Sequence, residues 1–587
     1  MPSTPLPRDH RLAIALLFIL LALVMAPNLL WLAVGSDLPH PWVAPVILPS
    51  SFLLALLAVL GGRLWGACIV LLPFAALTPL ESFYIASYQR PSSPQIIATL
   101  VASNPREMRE YIGPLIVPMA LCVLAALVLA LAAAWASRRV SLRLPARTRW
   151  AMATLALAML LAAAATTSSG SGNRNTRLHA GSRRAAELGV IQYGWPFGLI
   201  SRLLILHREW SQMHANVARL NDFRFGAHAA AAVPGRQVYV LVIGETSRRD
   251  HWSLFGYARP TTPELARTAN LVPIRDFDSA WPESMTAIPM ILTRKPATVT
   301  SLSWWKEASI LRAMAEAGFT TYWISNQLAI DQPGSALSAI TLEAQHRLFL
   351  NHTTLSAPGA FDEVLLKPLR ETLHGSNENL FIVVHLMGSH QTYDYRYPIA
   401  YKRWRPTESD PAAADASVTA TNQRIVNSYD NSIAYTDHIL AAIIGILRDE
   451  GAISALWFES DHGESLPTAT CTLQSHGHGT RHEYEIPALA WYSDSYLAAF
   501  PQRVAAVRAN AGKRSMSQNT FESLVDMAGI TFPSHDPSWS LFSAEWVYHP
   551  RIVNRPLQVD IDTATIDDRC GIVHPATQGL DQNPASR

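Results

Sequence analysis

The chain has 587 residues, 49% of them hydrophobic and only 16% charged, a composition too apolar for a disordered segment or a simple water-soluble enzyme. Its 47 basic and 45 acidic side chains give a formal charge of +2, so no electrostatic footprint for nucleic acid is present. Four cysteines, Cys68, Cys122, Cys471 and Cys570, are too few for a disulfide scaffold, and none forms the C-x-x-C pair of a zinc ribbon. Any metal must be held by oxygen and nitrogen.

Five apolar stretches come first, near residues 12–34, 43–61, 64–88, 111–136 and 150–167. About 20 apolar residues of helix cross a bilayer core, so these predict a five-span domain over 1–167. The first stretch exceeds the apolar region of a cleaved leader, and four more follow it. Basic residues set the orientation. Arg8 and Arg11 precede the first span, Arg63 follows the second, and Arg138, Arg139, Arg143, Arg147 and Arg149 crowd the loop before the fifth. With those loops inside, everything after about residue 168 is delivered to the outer side. Glu81, near the end of the third span, is the exception to an otherwise uncharged set, which argues for anchorage and lipid access rather than ion transport.

Residues 168–232 read as a linker with interfacial helices. Thr166 to Asn175 is rich in Ser, Thr, Gly and Asn, and Tyr193 to Trp210 mixes aromatic and aliphatic residues with Arg202, His207 and Arg208. That second pattern suits a helix lying in a membrane interface, or equally one packed on a soluble domain.

From Val233 to the end, short β-rich runs alternate with helical patterns. Gln237 to Ile243, Thr320 to Ile324, Leu380 to Leu386, Ser454 to Phe458 and Pro487 to Tyr492 are strand candidates, with helices over Lys306 to Ala317 and Asn427 to Leu447. The expected fold is therefore a transmembrane bundle followed by an α/β sandwich with a largely parallel sheet. Ligands of such sheets sit beyond the carboxyl ends of the strands, and here acids and imidazoles collect at those ends. Glu245 follows the first strand, His390 the third, Asp461, His462 and Glu464 the fourth, and His476, His478 and His482 precede the last. Glu245, Asp461 and His462 would make a three-ligand zinc site with one position open. Each also has a plain structural reading, as a helix cap, a turn acid or a surface imidazole; their joint occurrence weighs against it.

The segments VYVLVIGETSRRDHWSLFGYARPTTPEL (Val238 to Leu265), FIVVHLMGSHQTYDYRYP (Phe381 to Pro398), NSYDNSIAYTDHIL (Asn427 to Leu440), WFESDHGES (Trp457 to Ser465) and RHEYEIPALAW (Arg481 to Trp491) together resemble bacterial phosphoethanolamine transferases of the alkaline phosphatase and sulfatase superfamily, with the branch acting on the lipopolysaccharide core the most similar. The resemblance implies a Gram-negative inner-membrane enzyme with its C-terminal domain in the periplasm. Such an enzyme moves phosphoethanolamine from phosphatidylethanolamine to lipopolysaccharide core or lipid A. It further implies Zn2+ held by Glu245, Asp461, His462 and a nucleophilic hydroxyl, with a second ion open. The nucleophile falls at Ser284, a departure from the usual Thr, and Thr286 is the rival. His390 and His476 are implied near the phosphate, with His478 a less favoured substitute for His476, and Glu464 lies behind them. Asn326 resembles a substrate-side residue, and Asn104 and Glu107 resemble a signature near the lipid donor. The alternative within the superfamily is a phosphoglycerol transferase or a related phosphodiester or sulfate ester hydrolase. A formylglycine sulfatase is disfavoured, because no cysteine has Pro two residues later. Cys471 and Cys570 face an oxidising compartment on this topology, and their pairing would tie the C-terminal tail to the histidine loop; the sequence leaves that open.

Overall fold

Long apolar runs without polar interruption can satisfy their backbone groups in lipid only as helices, and the N-terminal part of the chain is built that way. The computed structural model describes residues 7–34, 42–88, 91–94, 96–97, 115–169, 193–231, 233–301, 306–328, 336–351, 360–411, 417–555 and 557–576. It divides into two units, Met1–Arg208 and Glu209–Arg587. Asn104 and Glu107 lie outside the described residues.

In the first unit, helices α1 (Arg8–Val34), α2 (Leu48–Leu60), α3 (Leu64–Tyr88), α4 (Ile116–Arg139) and α5 (Ala146–Ser169) take up the five apolar stretches. Among the described residues five helices are long and apolar enough to cross a membrane, the second counted from Val43 through a short π-helical lead-in. α3 packs on α1 and α4, and α2 on α5. Large apolar side chains such as Phe18, Val59, Leu124 and Trp150 remain exposed, as expected of helices whose outer surface meets lipid. A sixth helix, α6 (Phe197–Leu220), contains the boundary between the units. Glu81 of α3 is buried and answered within this unit: Arg202 Nη1 lies 2.9 Å from its Oε1, and Ser92 Oγ donates to its Oε2 at 2.7 Å. The linker expected over 168–232 is thus divided between two units rather than standing apart from both.

The second unit is organised by a seven-stranded sheet. In chain order its strands are β1 (Gln237–Gly244), β2 (Leu271–Ile274), β3 (Thr320–Leu328), β4 (His346–Asn351), β5 (Leu380–His385), β6 (Ile453–Ser460) and β7 (Ala488–Tyr492), and across the sheet they run β2-β7-β6-β1-β5-β3-β4. The block β6-β1-β5-β3-β4 is parallel; β7 runs antiparallel to β6, and β2 antiparallel to β7. Every residue of β1 is buried because successive side chains enter different cores. Tyr239, Leu241 and Ile243 join one cluster with helices α7 (Ser284–Leu292), α8 (Ile310–Glu316) and α11 (Thr520–Ala528). Val238, Val240 and Val242 join the other, with α9 (Leu366–His374) and α10 (Val418–Asp449). Each such aliphatic side chain contributes about 1.5–3 kcal/mol on burial, which makes the central strands the most rigid platform available for a site.

The five strand candidates all appear. The edge strands β2 and β4 were not anticipated: β2 is only four residues and includes Pro273, and the first three residues of β4 are exposed, so neither carries an unbroken apolar run. α10 begins at Ser417, whose side chain accepts from the Ala420 N–H, well before the expected Asn427. Its first turns are largely exposed, so apolar periodicity could not show them.

Candidate active site and metal centre

Strand register assembles the site. Gly244 of β1 is paired with Ser460 of β6, so the next residues in each chain, Glu245 and Asp461, emerge side by side at the carboxyl edge. Ligand atoms of Glu245, Asp461 and His462 lie within 4.8 Å of one another, and all three side chains are buried. His462 Nε2 is 3.6 Å from Glu245 Oε1 and 3.5 Å from Asp461 Oδ2. Its Nδ1–H donates to the Gly463 carbonyl at 2.8 Å, which leaves the lone pair on Nε2, facing the carboxylates.

Ser284 opens α7, and its Oγ lies 3.3 and 3.4 Å from the two Glu245 oxygens and 3.2 Å from His462 Nε2. Thr286 is buried and donates its hydroxyl to the Glu283 carbonyl at 2.9 Å, back onto its own helix. Of the two rival hydroxyls, the cluster is faced by Ser284.

The residue after Glu245 carries strain. Thr246 has φ of 58°, in the left-handed region that β-branched residues rarely enter. In that conformation its N–H donates to Asp461 Oδ1 at 3.1 Å, its hydroxyl donates to Glu245 Oε1 at 2.7 Å, and its carbonyl accepts from Tyr429. One strained residue thus bonds both carboxylates. Gly388, at φ 52°, lets the Met387-to-His390 turn close on Glu245: a Cβ there would lie 2.9 Å from the Glu245 backbone. That turn is fixed from behind by Asp362, which accepts from the Met387 and Gly388 N–H groups at 2.8 and 2.9 Å.

Asn326 belongs to this support. It is fully buried, and its amide nitrogen donates to Asp362 and to the Ala360 carbonyl at 2.9 Å each, which steadies the turn. Its neighbour Gln327 takes the exposed side: Nε2 donates to the Leu386 carbonyl at 2.9 Å and lies 3.5 Å from Glu245 Oε2. Sequence reasoning passed over Gln327, although strand alternation puts neighbours on opposite faces.

The imidazoles divide by charge. Burial, with Arg396 and His476 adding to it, pushes His390 down to about 3. Its Nδ1–H donates to the Gln391 carbonyl at 2.7 Å, so in the neutral ring the lone pair lies on Nε2. Burial also lowers His476, but Glu464, 3.5 Å away, outweighs it by hydrogen bonding and charge and lifts the imidazole to about 9. Glu464 itself is raised to about 7 by burial. The His476 ring lies against His462, with centroids 4.2 Å apart and planes tilted by 49°, whereas His478 is buried with Nε2 on the Gln474 carbonyl at 2.8 Å. Of the two loop histidines, His476 is the one at the cluster. The loop is shaped by Glu483, also missed from sequence, which accepts from Gly477 N at 2.9 Å, Gly479 N at 2.8 Å and Ser465 Oγ at 2.6 Å. The Cys471–Cys570 disulfide is formed and ties the C-terminal segment to it.

Burial raises the pKa of both Glu245 and Asp461, and at Glu245 the charge of Asp461 adds to the rise. Asp461 Oδ2 is buried and accepts no hydrogen bond. Two crowded carboxylates, an orphaned oxygen and an imidazole lone pair are the donor set of a divalent cation with oxygen and nitrogen preference.

A family model described as Sulfatase matches residues 237–530, a span that includes Glu245, Ser284, Asp461 and His462. The chain belongs to the sulfatase family. Among its relatives, phosphoethanolamine transferase EptC of Escherichia coli (strain K12) is 27% identical over 343 residues, 57% of this chain and 58% of that protein, so little more than half of this relative's length is matched. Phosphoethanolamine transferase CptA of Salmonella typhimurium is 24% identical over 558 residues, 90% of each chain. The crystal structure of the C-terminal periplasmic domain of E. coli EptC in complex with Zn is 26% identical with a TM-score of 0.52, covering 59% of this chain and 98% of that domain. The integral membrane lipooligosaccharide phosphoethanolamine transferase A of Neisseria meningitidis, at 17% identity and a TM-score of 0.67 over 90% of this chain and 98% of its own, shows that both units share one known fold.

Proposed function

We propose that this enzyme transfers phosphoethanolamine from phosphatidylethanolamine to lipopolysaccharide, at a core sugar or lipid A, through a covalent intermediate on Ser284. The observation that carries this reading is the Ser284 hydroxyl held 3.2–3.4 Å from His462 and Glu245 in a cluster built for a cation. The names of the relatives support the transferred group, and the zinc complex of the E. coli domain supports the metal. On this reading the five helices sit in the Gram-negative inner membrane and the second unit works in the periplasm, so donor and acceptor share the enzyme's own bilayer.

Glu245, Asp461, His462 and Ser284 would hold one zinc ion. Bound there, zinc would supply a Lewis acid that lowers the pKa of the hydroxyl and offsets phosphoryl charge. Ser284 Oγ loses its proton to solvent and forms a bond to phosphorus as the bond from phosphorus to the diacylglycerol oxygen breaks. The departing oxygen takes a proton from the His476 imidazolium, which Glu464 keeps charged at neutral pH. His476, now neutral, accepts the proton of an acceptor hydroxyl; that oxygen attacks phosphorus, and Ser284 Oγ leaves and is reprotonated. Neutral His390 contributes a lone pair rather than a proton. Its place on the turn against Glu245 suits holding the ethanolamine ammonium or an acceptor hydroxyl.

Intact mass spectrometry of the enzyme incubated with phosphatidylethanolamine tests this. The expected result is one added phosphoethanolamine in the unmodified enzyme and in Thr286→Ala, and none in Ser284→Ala. An adduct that persists in Ser284→Ala rejects the assignment, and unchanged lipopolysaccharide from cells with and without the protein rejects the function.

A further inference from the structure

A cleft of about 540 Å³ opens beside the histidine loop, bordered by Arg248, Ser465, Thr468, Arg481, His482 and Arg569. Its walls come from segments that adjoin site residues along the chain. Ser465 directly follows Glu464 on the loop leaving β6, and Arg481 and His482 directly precede Glu483. The two segments touch: a Cβ on Gly463 would lie 2.1 Å from the His482 carbonyl oxygen. The remaining wall comes from the C-terminal segment, held by the Cys471–Cys570 disulfide, by Arg481 N donating to the Gly571 carbonyl at 2.7 Å and by Val573 N donating to the Gly479 carbonyl at 3.0 Å.

Two of the guanidinium groups in this cleft are paired with acids, and Asp567 and Arg569 hold backbone groups. Arg248 forks onto Asp250 at 2.9 and 2.7 Å, and Arg481 meets Glu485 at 3.1 Å. Asp567 spends its oxygens on the N–H groups of Arg569, Cys570 and Ile572, and Arg569 Nε donates to the Thr470 carbonyl at 3.0 Å. An isolated cation such as ethanolamine would meet guanidinium groups here, and a bare phosphate would meet compensating acids. A sugar ring suits the lining better. Each of its hydroxyls both donates and accepts, matching paired guanidinium and carboxylate groups beside serine and threonine hydroxyls, while Leu466 and Ile566 offer small apolar edges to its C–H face. The volume is within the range of small-ligand sites.

We propose that this cleft is a saccharide subsite that holds a sugar ring of the acceptor glycan, next to the ring that receives the transferred group. The inference rests on the reading of the acceptor as a glycolipid and adds where that glycan is recognised.

The test is titration of deacylated, water-soluble lipopolysaccharide core oligosaccharide against the full-length enzyme in detergent, beside the Arg481→Ala/Arg569→Ala double variant. Losing two guanidinium hydrogen bonds should weaken binding about tenfold or more, with Arg481→Gln and Arg569→Gln each giving part of that loss, so the result does not depend on the double variant folding. Diacylglycerol release from phosphatidylethanolamine in the absence of acceptor should be the same in all four proteins. Equal binding by the unmodified enzyme and the variants, or no binding by the unmodified enzyme, overturns the subsite. Binding that the substitutions weaken, without any transfer to lipopolysaccharide, would instead keep the subsite and reject the transferase reading.

Discussion

Two buried polar clusters in this molecule are built on opposite terms. In the membrane unit Glu81 meets Arg202 at 2.9 Å and takes two further hydrogen bonds from Ser92, so its charge is balanced by the polypeptide itself. In the second unit Glu245 and Asp461 share a pocket with a neutral imidazole and a hydroxyl, no Lys or Arg among the described residues pairs with either, and one carboxylate oxygen has no donor. The first cluster is charge-balanced by the chain itself and acts as a fastener. The second leaves two crowded carboxylates without a balancing side-chain cation, an arrangement typical of functional sites.

The contrast can be broken most severely at the proposed nucleophile. Ser284→Ala should lower transfer by about four orders of magnitude or more, as removal of a covalent nucleophile does elsewhere, while leaving the thermal midpoint nearly unchanged; lipopolysaccharide mass spectrometry and a melting curve read the two effects. Next comes Arg202→Met, which strands a buried carboxylate and should cost about 3–5 kcal/mol of stability in detergent unfolding. Pairing it with Glu81→Gln should restore part of that loss. The opposite sign is expected in the other cluster: Glu245→Gln relieves crowding with Asp461, so the metal-free protein should gain about 1 kcal/mol while activity disappears. If the two substitutions shift the melting temperature in the same direction, the two clusters do not differ in the way described.

Smaller effects sharpen the picture. Burial raises the pKa of both Glu245 and Asp461, so they hold protons further up the pH scale than ordinary acids and must release them when a cation binds. Zinc affinity should therefore fall as the pH is lowered, beginning above the range in which ordinary carboxyls take up protons, and competition with a chromogenic chelator at each pH measures it. A flat profile would mean that the carboxylates are already ionised without metal. Glu483→Gln keeps the size of the side chain but replaces an accepting oxygen by a donor against the Gly477 and Gly479 N–H groups. It should reduce transfer about tenfold by loosening the His476 loop, with little change in zinc affinity.

The sequence carried the parts of this molecule that depend on continuous local pattern. The spans and the strands that meet the site are dominated by apolar residues, and Glu245, Asp461 and His462 stand just past the ends of two such strands, where strand register had to bring them together. Edge strands escaped because Pro273 and the exposed start of β4 erase the pattern. Roles set by hydrogen-bond partners rather than position escaped too. Nothing in the composition of WISNQ shows that Asn326 is spent on Asp362 while Gln327 reaches Glu245, and nothing in GSH shows that the His390 ring proton is used on its own neighbour's carbonyl. Glu483 was legible in principle, as an acid four residues past the last glycine of a loop whose N–H groups need acceptors.

The central strand of the sheet is the first of the seven to be synthesised, and its two neighbours come late: Val238 is paired with Leu380 on one side and with Ser454 on the other. A nascent chain therefore cannot bury β1 until most of the unit has left the ribosome, and any product of premature termination before Ser460 lacks both a flanking strand and two of the three cation-binding side chains. Long-range pairing of this kind folds slowly but leaves no partly working fragment, so translation yields either the whole catalyst or an inert chain for the proteases.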